Sequence, residues 1–255
     1  MNIALFATDV VGYEIAKVFG EAHQPLSFLI LDSKDKKRRN SDIIKVSGIN
    51  DANKIIYSDL INNRETLERL NRMNLDLGIL AWWPYIIKGD LLHIPSIGYL
   101  NFHPSYLPYN RGKDPNFWSI VEDTPFGVTL HFVNAEIDKG DIAFQKIIEK
   151  SWEDNGLSLY NKAITEIVQL FKDNFDLIMT GSIPRKKQNY QSGSFHRRSE
   201  LDSASKIDLE ANYKARDILN ILRARTFPPH PAAYFFEDDY QYEVRIEIKQ
   251  VKSKN

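Results

Sequence analysis

The chain contains no cysteine. Disulfides, thiolate nucleophiles and cysteine metal sites are therefore excluded, and with them any disulfide-based argument for an oxidising compartment. Net charge is almost absent as well, since 33 basic and 34 acidic residues give −1 at neutral pH. A protein built to hold nucleic acid usually carries a basic excess, so no nucleic-acid partner is expected. No apolar run approaches the ~20 residues that cross a bilayer, so no membrane partner is expected either. The first strand pattern, at residues 2–7, is not preceded by a charged n-region, an apolar core and a cleavage site. That predicts a cytoplasmic protein. The first strand–helix turn, Thr8-Asp9-Val10-Val11-Gly12, lacks the Gly-x-Gly-x-x-Gly fingerprint, so a bound dinucleotide is not expected. Internal repeats and low-complexity tracts are also missing.

What is present reads as a globular α/β protein. The 255 residues are 43% hydrophobic and 26% charged, ordinary values for a chain with a sizeable core. Apolar strand patterns at residues 2–7, 26–31, 75–81, 99–102 and 127–133 alternate with helical patterns, such as those at 11–19 and 64–73. Such alternation predicts a Rossmann-like, mostly parallel sheet flanked by helices, with ligands beyond the carboxyl ends of the strands. The dense charged run at 33–39 reads as a solvated loop. Residues 157–179 carry apolar positions at helical spacing and predict one long closing helix. Residues 181–193 are polar, with Pro184 and Gly193, and read as a linker. A helix over 213–224 and a hairpin formed by 232–236 and 242–248 around Glu237, Asp238 and Asp239 follow. The expected organisation is a catalytic domain over residues 1–180 and a small C-terminal extension over 181–255, made of a helix and a β-hairpin.

Asn101-Phe102-His103-Pro104-Ser105 directly follows an apolar strand. Residues two apart on a strand face the same way, so Asn101 and His103 would point into one site. Pro104 begins a loop rich in turn formers, Pro108, Asn110, Gly112 and Pro115. An isolated Asn-x-His could equally be a turn asparagine beside a packed histidine. A second piece gives the motif weight: the strand Gly127-Val128-Thr129-Leu130-His131-Phe132-Val133, then a loop running to Asp138-Lys139-Gly140-Asp141.

Taken together, Asn-x-His-Pro-Ser-x-Leu-Pro, Thr-x-His-Phe-Val and Asp-x-Gly-Asp resemble the formyltransferase superfamily. The resemblance covers roughly residues 1–180 and is densest over 77–149. It implies an enzyme that carries a formyl group from 10-formyltetrahydrofolate to an amine, with Asn101, His103 and Asp138 as the catalytic set. The residue types suit that reaction. Asn101 can donate to the oxyanion of a tetrahedral intermediate, a contribution of ~10²–10³ in rate. His103 can donate to it and shuttle a proton, worth roughly 10²–10⁴. Asp138 can hold the imidazole, raise its pKa and accept the proton lost by the amine. Neither a metal nor a covalent enzyme intermediate is required. His131 is read as supporting the site rather than reacting. By the same resemblance, Tyr85, Ile86 and Ile87, with Ala135, Glu136 and Ile137, form a cleft for the pterin of a reduced folate. Trp82 and Trp83 beside it can equally be core.

The acceptor is read from the loop at 107–120 and from the tail, which look most like the nucleotide-sugar N-formyltransferases. One departure, Tyr106 where leucine is common, leaves the catalytic set intact. The resemblance implies a dTDP- or GDP-linked amino sugar, with a dTDP-linked 4-amino-4,6-dideoxy sugar of surface polysaccharide (O-antigen) synthesis as the specific expectation. Candidate cations for the diphosphate are Arg197, Arg198, Arg223 and Arg225. Tyr190, Phe195 and Phe227 are candidate aromatics, and Lys113 and Asn116 could touch the sugar. The apolar segment at 232–236 leaves strand edges that are normally covered or paired. With the resemblance this implies a homodimer. Three rivals stand beside this reading. Another amine, such as a purine precursor or methionyl-tRNA, would be revealed by an acceptor panel. A catalytically idle folate or nucleotide-sugar binding module is opposed by the intact Asn101, His103 and Asp138. A metal hydrolase using His103, His131 and Asp138 lacks the usual ligand spacings, and chelator sensitivity would reveal it.

Overall fold

The computed structural model describes residues 1–33 and 39–252; most of the charged run at 33–39 lies outside them. The described chain divides into two compact units. One comprises Met1–His103, Thr129–Gln145 and Ile167–Gln188, and the other Pro104–Val128, Lys146–Glu166 and Asn189–Asn255. Each unit is discontinuous in sequence.

The first unit is organised by a sheet. Strands β1 (Ile3–Ala7), β2 (Phe28–Leu31) and β4 (Leu77–Ala81) are buried at every position. That is the signature of parallel strands covered on both faces. With β3 (Ile55–Tyr57), β5 (Gly98–His103), β7 (Gly127–Phe132) and β8 (Ile142–Ile147) they stand in the order β3-β2-β1-β4-β5-β7-β8. Pairings from β3 through β5 are parallel, and β5 pairs antiparallel with β7. Helix α1 (Asp9–Glu21) buries Val11, Ile15, Ala16 and Phe19 on one face. Helices α2 (Asn40–Val46) and α3 (Arg64–Arg72) belong to the same unit. Tyr99 lies flat over β4, where Gly78 leaves room; a Cβ there would stand 2.2 Å from the ring. Burial drives the Tyr99 hydroxyl well above its usual pKa. It donates to the Leu91 carbonyl at 2.8 Å.

The long helix expected at 157–179 is two helices, α5 (Gly156–Asp173) and α6 (Phe175–Met179). Asn174 between them leaves the helical region at φ −114°, ψ 11°, and its side chain donates to the Leu170 carbonyl. The residues following α6 are not a free linker. Arg185 donates to the Ile97 carbonyl and lies 3.4 Å over the Phe132 ring, and Lys186 forms a two-way bridge with Ile142.

In the second unit α4 (Pro115–Val121) packs on α8 (Ala215–Ala224). Strand β6 (Arg111–Gly112) pairs with β9 (Phe195–His196), and α7 (Glu200–Ser205) follows. The His196 ring stacks on Trp118 at 3.8 Å between Glu122 and Glu200. The terminal hairpin is present, but its second strand starts earlier than expected. Strand β10 (Ala233–Glu237) turns at Asp238-Asp239 into β11 (Tyr240–Val244). Asp238 adopts φ +51°, the left-handed geometry a two-residue hairpin turn requires and Asp tolerates. Among the described residues no helix is long and apolar enough to cross a membrane.

Candidate active site

Strand alternation sends Phe102 to one face of β5, where its ring meets Phe171 at 5.5 Å. Asn101 and His103 therefore share the other face. The antiparallel register sets Asn101 opposite His131 and His103 opposite Thr129. Asn101 Nδ2 lies 3.1 Å from His131 Nε2, and His131 Nδ1 lies 2.8 Å from the Phe132 carbonyl. Since a carbonyl only accepts, Nδ1 carries the proton; Nε2 then accepts from the Asn101 amide. His131 is 2% exposed, so this pair holds the Asn101 carboxamide in one orientation. Among the described residues no partner takes the other N–H of that amide, which is open to a developing oxyanion.

The loop after β7 brings Asp138 to the same place. Its carboxylate lies 3.7 Å from His103 Nδ1 and 3.5 Å from His131 Nε2. Because Nε2 already accepts from Asn101, the second approach is a contact rather than a hydrogen bond, and Asp138 faces His103 Nδ1, with which it forms an ion pair whenever that imidazole is protonated. The His103 and Asp138 side chains are 6% and 13% exposed, so their interaction is little screened. Local geometry explains how the loop turns inward. Asn134 accepts the Glu136 N–H, Lys139 pairs with Glu136, and Asp138 takes φ +52°. At Gly140 a Cβ would fall 1.6 Å from the Phe132 carbonyl oxygen, so only glycine lets the loop close on β7.

Residues assigned to the pterin cleft are mostly open to solvent. Ile86 is 71% and Ile137 50% exposed. Ala135 and Glu136 are exposed too, while Ile87 and Trp83 are core. Tyr85 donates its hydroxyl to the buried Asp32 at 2.9 Å.

Among the substrate candidates, four line one cleft of about 260 Å³ in the second unit: Asn116, Arg198, Arg225 and Phe227, together with Asp114, Asp202 and His230. Arg198 pairs with Asp114 at 3.0 Å. Burial lowers the Arg225 guanidinium from its usual value; Asp114 and Asp202 oppose that and Arg198 adds to it. Asn116 donates to the Gly156 carbonyl. Lys113, Tyr190, Phe195 and Arg197 are exposed; Tyr190 lies 5.4 Å under Arg111. Arg223 belongs to the scaffold instead. It is 6% exposed, with Nε on Asn220 and Nη1 on the carbonyls of Ser151 and Asp154, so those donors are not available to a phosphate. One residue of the site went unread in sequence: Gln188, in the stretch read as a linker, donates to the carbonyls of Asp138 and Gly140.

Residues 27–172, more than half of the chain, match the formyl transferase family model. The chain belongs to the formyl transferase family. Residues 200–250 match the N-formyltransferase dimerization C-terminal domain. Among curated relatives, the bifunctional polymyxin resistance protein ArnA of Wigglesworthia glossinidia brevipalpis is 26% identical over 93% of this chain and 36% of its own. A methionyl-tRNA formyltransferase of Sulfurihydrogenibium is 29% identical over 70% of this chain and 57% of its own. The chain thus spans about a third and just over half of their lengths. Solved structures share the fold across nearly the whole chain. A 4-N formyltransferase from Francisella tularensis superposes with a TM-score of 0.81 at 23% identity, covering 98% of this chain and 99% of that one. For a sugar N-formyltransferase from Shewanella the values are 0.79, 23%, 99% and 100%. An N-formyltransferase from Helicobacter canadensis in complex with folinic acid and dTDP-3-aminofucose gives 0.68, 18%, 93% and 84%.

Proposed function

We propose that this formyl transferase family member moves the formyl group of 10-formyltetrahydrofolate to the amino group of a nucleotide-linked amino sugar, with a dTDP-linked 4-amino-4,6-dideoxy sugar of surface polysaccharide (O-antigen) synthesis as the acceptor. The observation that carries the reading is the convergence of Asn101, His103 and Asp138, with His131 orienting Asn101. The amine nitrogen attacks the formyl carbon, and the carbonyl oxygen gathers negative charge. The free Asn101 N–H and the His103 ring donate to that oxygen. The amine proton passes to the Asp138–His103 pair, and a proton from that pair goes to the departing folate nitrogen. No residue of the chain is consumed.

Folate fits the open apolar side chains of Tyr85, Ile86 and Ile137, which suit the faces of a flat pterin ring, while Ala135 and Glu136 offer backbone groups for its edge. The cleft that holds Asn116, Arg198, Arg225 and Phe227 has the cations and the aromatic face a nucleoside diphosphate needs. Lys113, Tyr190, Phe195 and Arg197 are kept as outer contacts. The match to a dimerization domain and the exposed Phe236, Tyr240 and Tyr242 of the hairpin support a homodimer.

The test is an acceptor panel with 10-formyltetrahydrofolate as donor: dTDP-, UDP- and GDP-linked amino sugars, glycinamide ribonucleotide and methionyl-tRNA. The expected product is an N-formylated dTDP-sugar, with turnover lowered at least ~10² in His103→Ala. Formylation of methionyl-tRNA alone, or of nothing, would overturn the reading.

A further inference from the structure

Gln188 is 7% exposed and sits at the end of the polar stretch that follows α6. Its position is set by its neighbours in sequence. The Lys186–Ile142 bridge aligns the segment with β8, the Ile142 N–H giving 2.8 Å and the Lys186 N–H 2.9 Å to the partner's carbonyl. Two residues on, the Gln188 side chain reaches the loop that carries Asp138. Its Nε2 donates one N–H to the Asp138 carbonyl at 2.9 Å and the other to the Gly140 carbonyl at 2.7 Å. Both protons of the amide are thus spent on one turn of backbone, across 50 and 48 residues of sequence. That turn holds Asp138 at φ +52°, a left-handed conformation that Asp, unlike most side chains, tolerates.

We propose that Gln188 is a positioning residue for formyl transfer: it clamps the carbonyls of Asp138 and Gly140 so that the Asp138 carboxylate stays aimed at His103. This rests on the catalytic reading of Asp138 given above. Both amide protons of Gln188 are taken by the backbone that carries Asp138, so its effect passes through Asp138. A displacement of about 1 Å at a reacting group can cost ~10² in rate. Loss of the clamp should therefore lower kcat by roughly 10- to 100-fold and leave both KM values nearly unchanged, because binding is not what the clamp serves.

The experiment is a double-mutant cycle on the full chain, with turnover and both KM values measured well below the unfolding midpoint. Gln188→Met keeps length without a donor, and Gln188→Glu keeps shape but has a donor only when protonated; either one that folds by circular dichroism suffices. Each is made in the wild-type chain and in Asp138→Asn. The expected result is a loss of at least ~10-fold in kcat in the wild-type background and none beyond it in the Asp138→Asn background. In Gln188→Glu, turnover relative to wild type should recover as the pH falls and the new carboxyl gains a proton to donate. An equal loss in both backgrounds would mark a merely structural residue and overturn the proposal, as would wild-type turnover in Gln188→Met. An Asp138→Asn enzyme as fast as wild type would overturn the catalytic assignment of Asp138 itself, a result that the acceptor panel reads separately.

Discussion

Replacing His131 by phenylalanine tests whether that ring reacts or only orients. The side chain is 2% exposed, and phenylalanine keeps a flat ring there, somewhat larger than the imidazole. What is lost is one acceptor for Asn101, at 3.1 Å, and one donor to the Phe132 carbonyl, at 2.8 Å. Removing an oxyanion donor outright costs ~10²–10³ in turnover. Releasing it to rotate costs about the net worth of one neutral hydrogen bond, roughly 0.5–1.5 kcal/mol, or about 2- to 13-fold. The expected kcat of His131→Phe therefore lies about 2- to 13-fold below wild type, far above that of Asn101→Ala. In the double variant, His131→Phe should add nothing to Asn101→Ala. Stability falls independently, because the Phe132 carbonyl loses its donor at about 1–3 kcal/mol. For a chain of this size each kcal/mol lowers Tm by about 2–4 °C, so kinetics belong at 20 °C or so. Calorimetry and steady-state rates read the two effects apart. A His131→Phe rate down by ~10³ would mean that the ring takes part in the chemistry. A rate equal to wild type, beside a crippled Asn101→Ala, would mean that Asn101 needs no orientation.

At Gly140 an alanine would press its Cβ on the Phe132 carbonyl, 1.6 Å away in the present backbone; the loop must withdraw by well over an ångström, and turnover should fall ~10², whereas a wild-type rate for Gly140→Ala would contradict the geometry. Burial by itself pushes the Asp154 carboxyl up, but the Lys162 ammonium, the Ser151 N–H and the Ser158 hydroxyl together hold it below the usual carboxylate range. With its folded pKa depressed, this carboxylate stabilises the fold above its unfolded pKa, and the contribution is lost as pH falls through the folded value. Urea titrations should find Asp154→Asn less stable than wild type at pH 7 with the gap closing in acid; a gap that does not narrow would refute the assignment. Tyr240→Asp with Tyr242→Asp, two residues apart on one face of β11 and both exposed, should sediment as a monomer, and an intact chain that is monomeric at micromolar concentration would count against the dimer.

Some of this was legible before any fold was known. Five consecutive buried residues in β1 and β4 stand out as apolar runs in the chain, and the period of two along β5 alone puts Asn101 and His103 on one face. Other features were not. Arg223 and Arg225 look alike in sequence and lie two residues apart, yet the first is spent on Ser151, Asp154 and Asn220 and the second faces a cleft. The helical pattern at 157–179 did not show where Asn174 would bend out of it.

Sequence by itself determined the element types, the alternation that builds the sheet and the motif residues, because these depend on periodicities of two and 3.6 residues within short windows. It also named Asp138, through the resemblance of its motif. Only the tertiary structure decided which way Asp138 points, that His131 holds Asn101, and that Gln188 belongs to the site. Those outcomes depend on which backbone carbonyls come within 3 Å of which donors after segments up to 50 residues apart have packed, and a polar stretch carries no local mark of the partner it will meet.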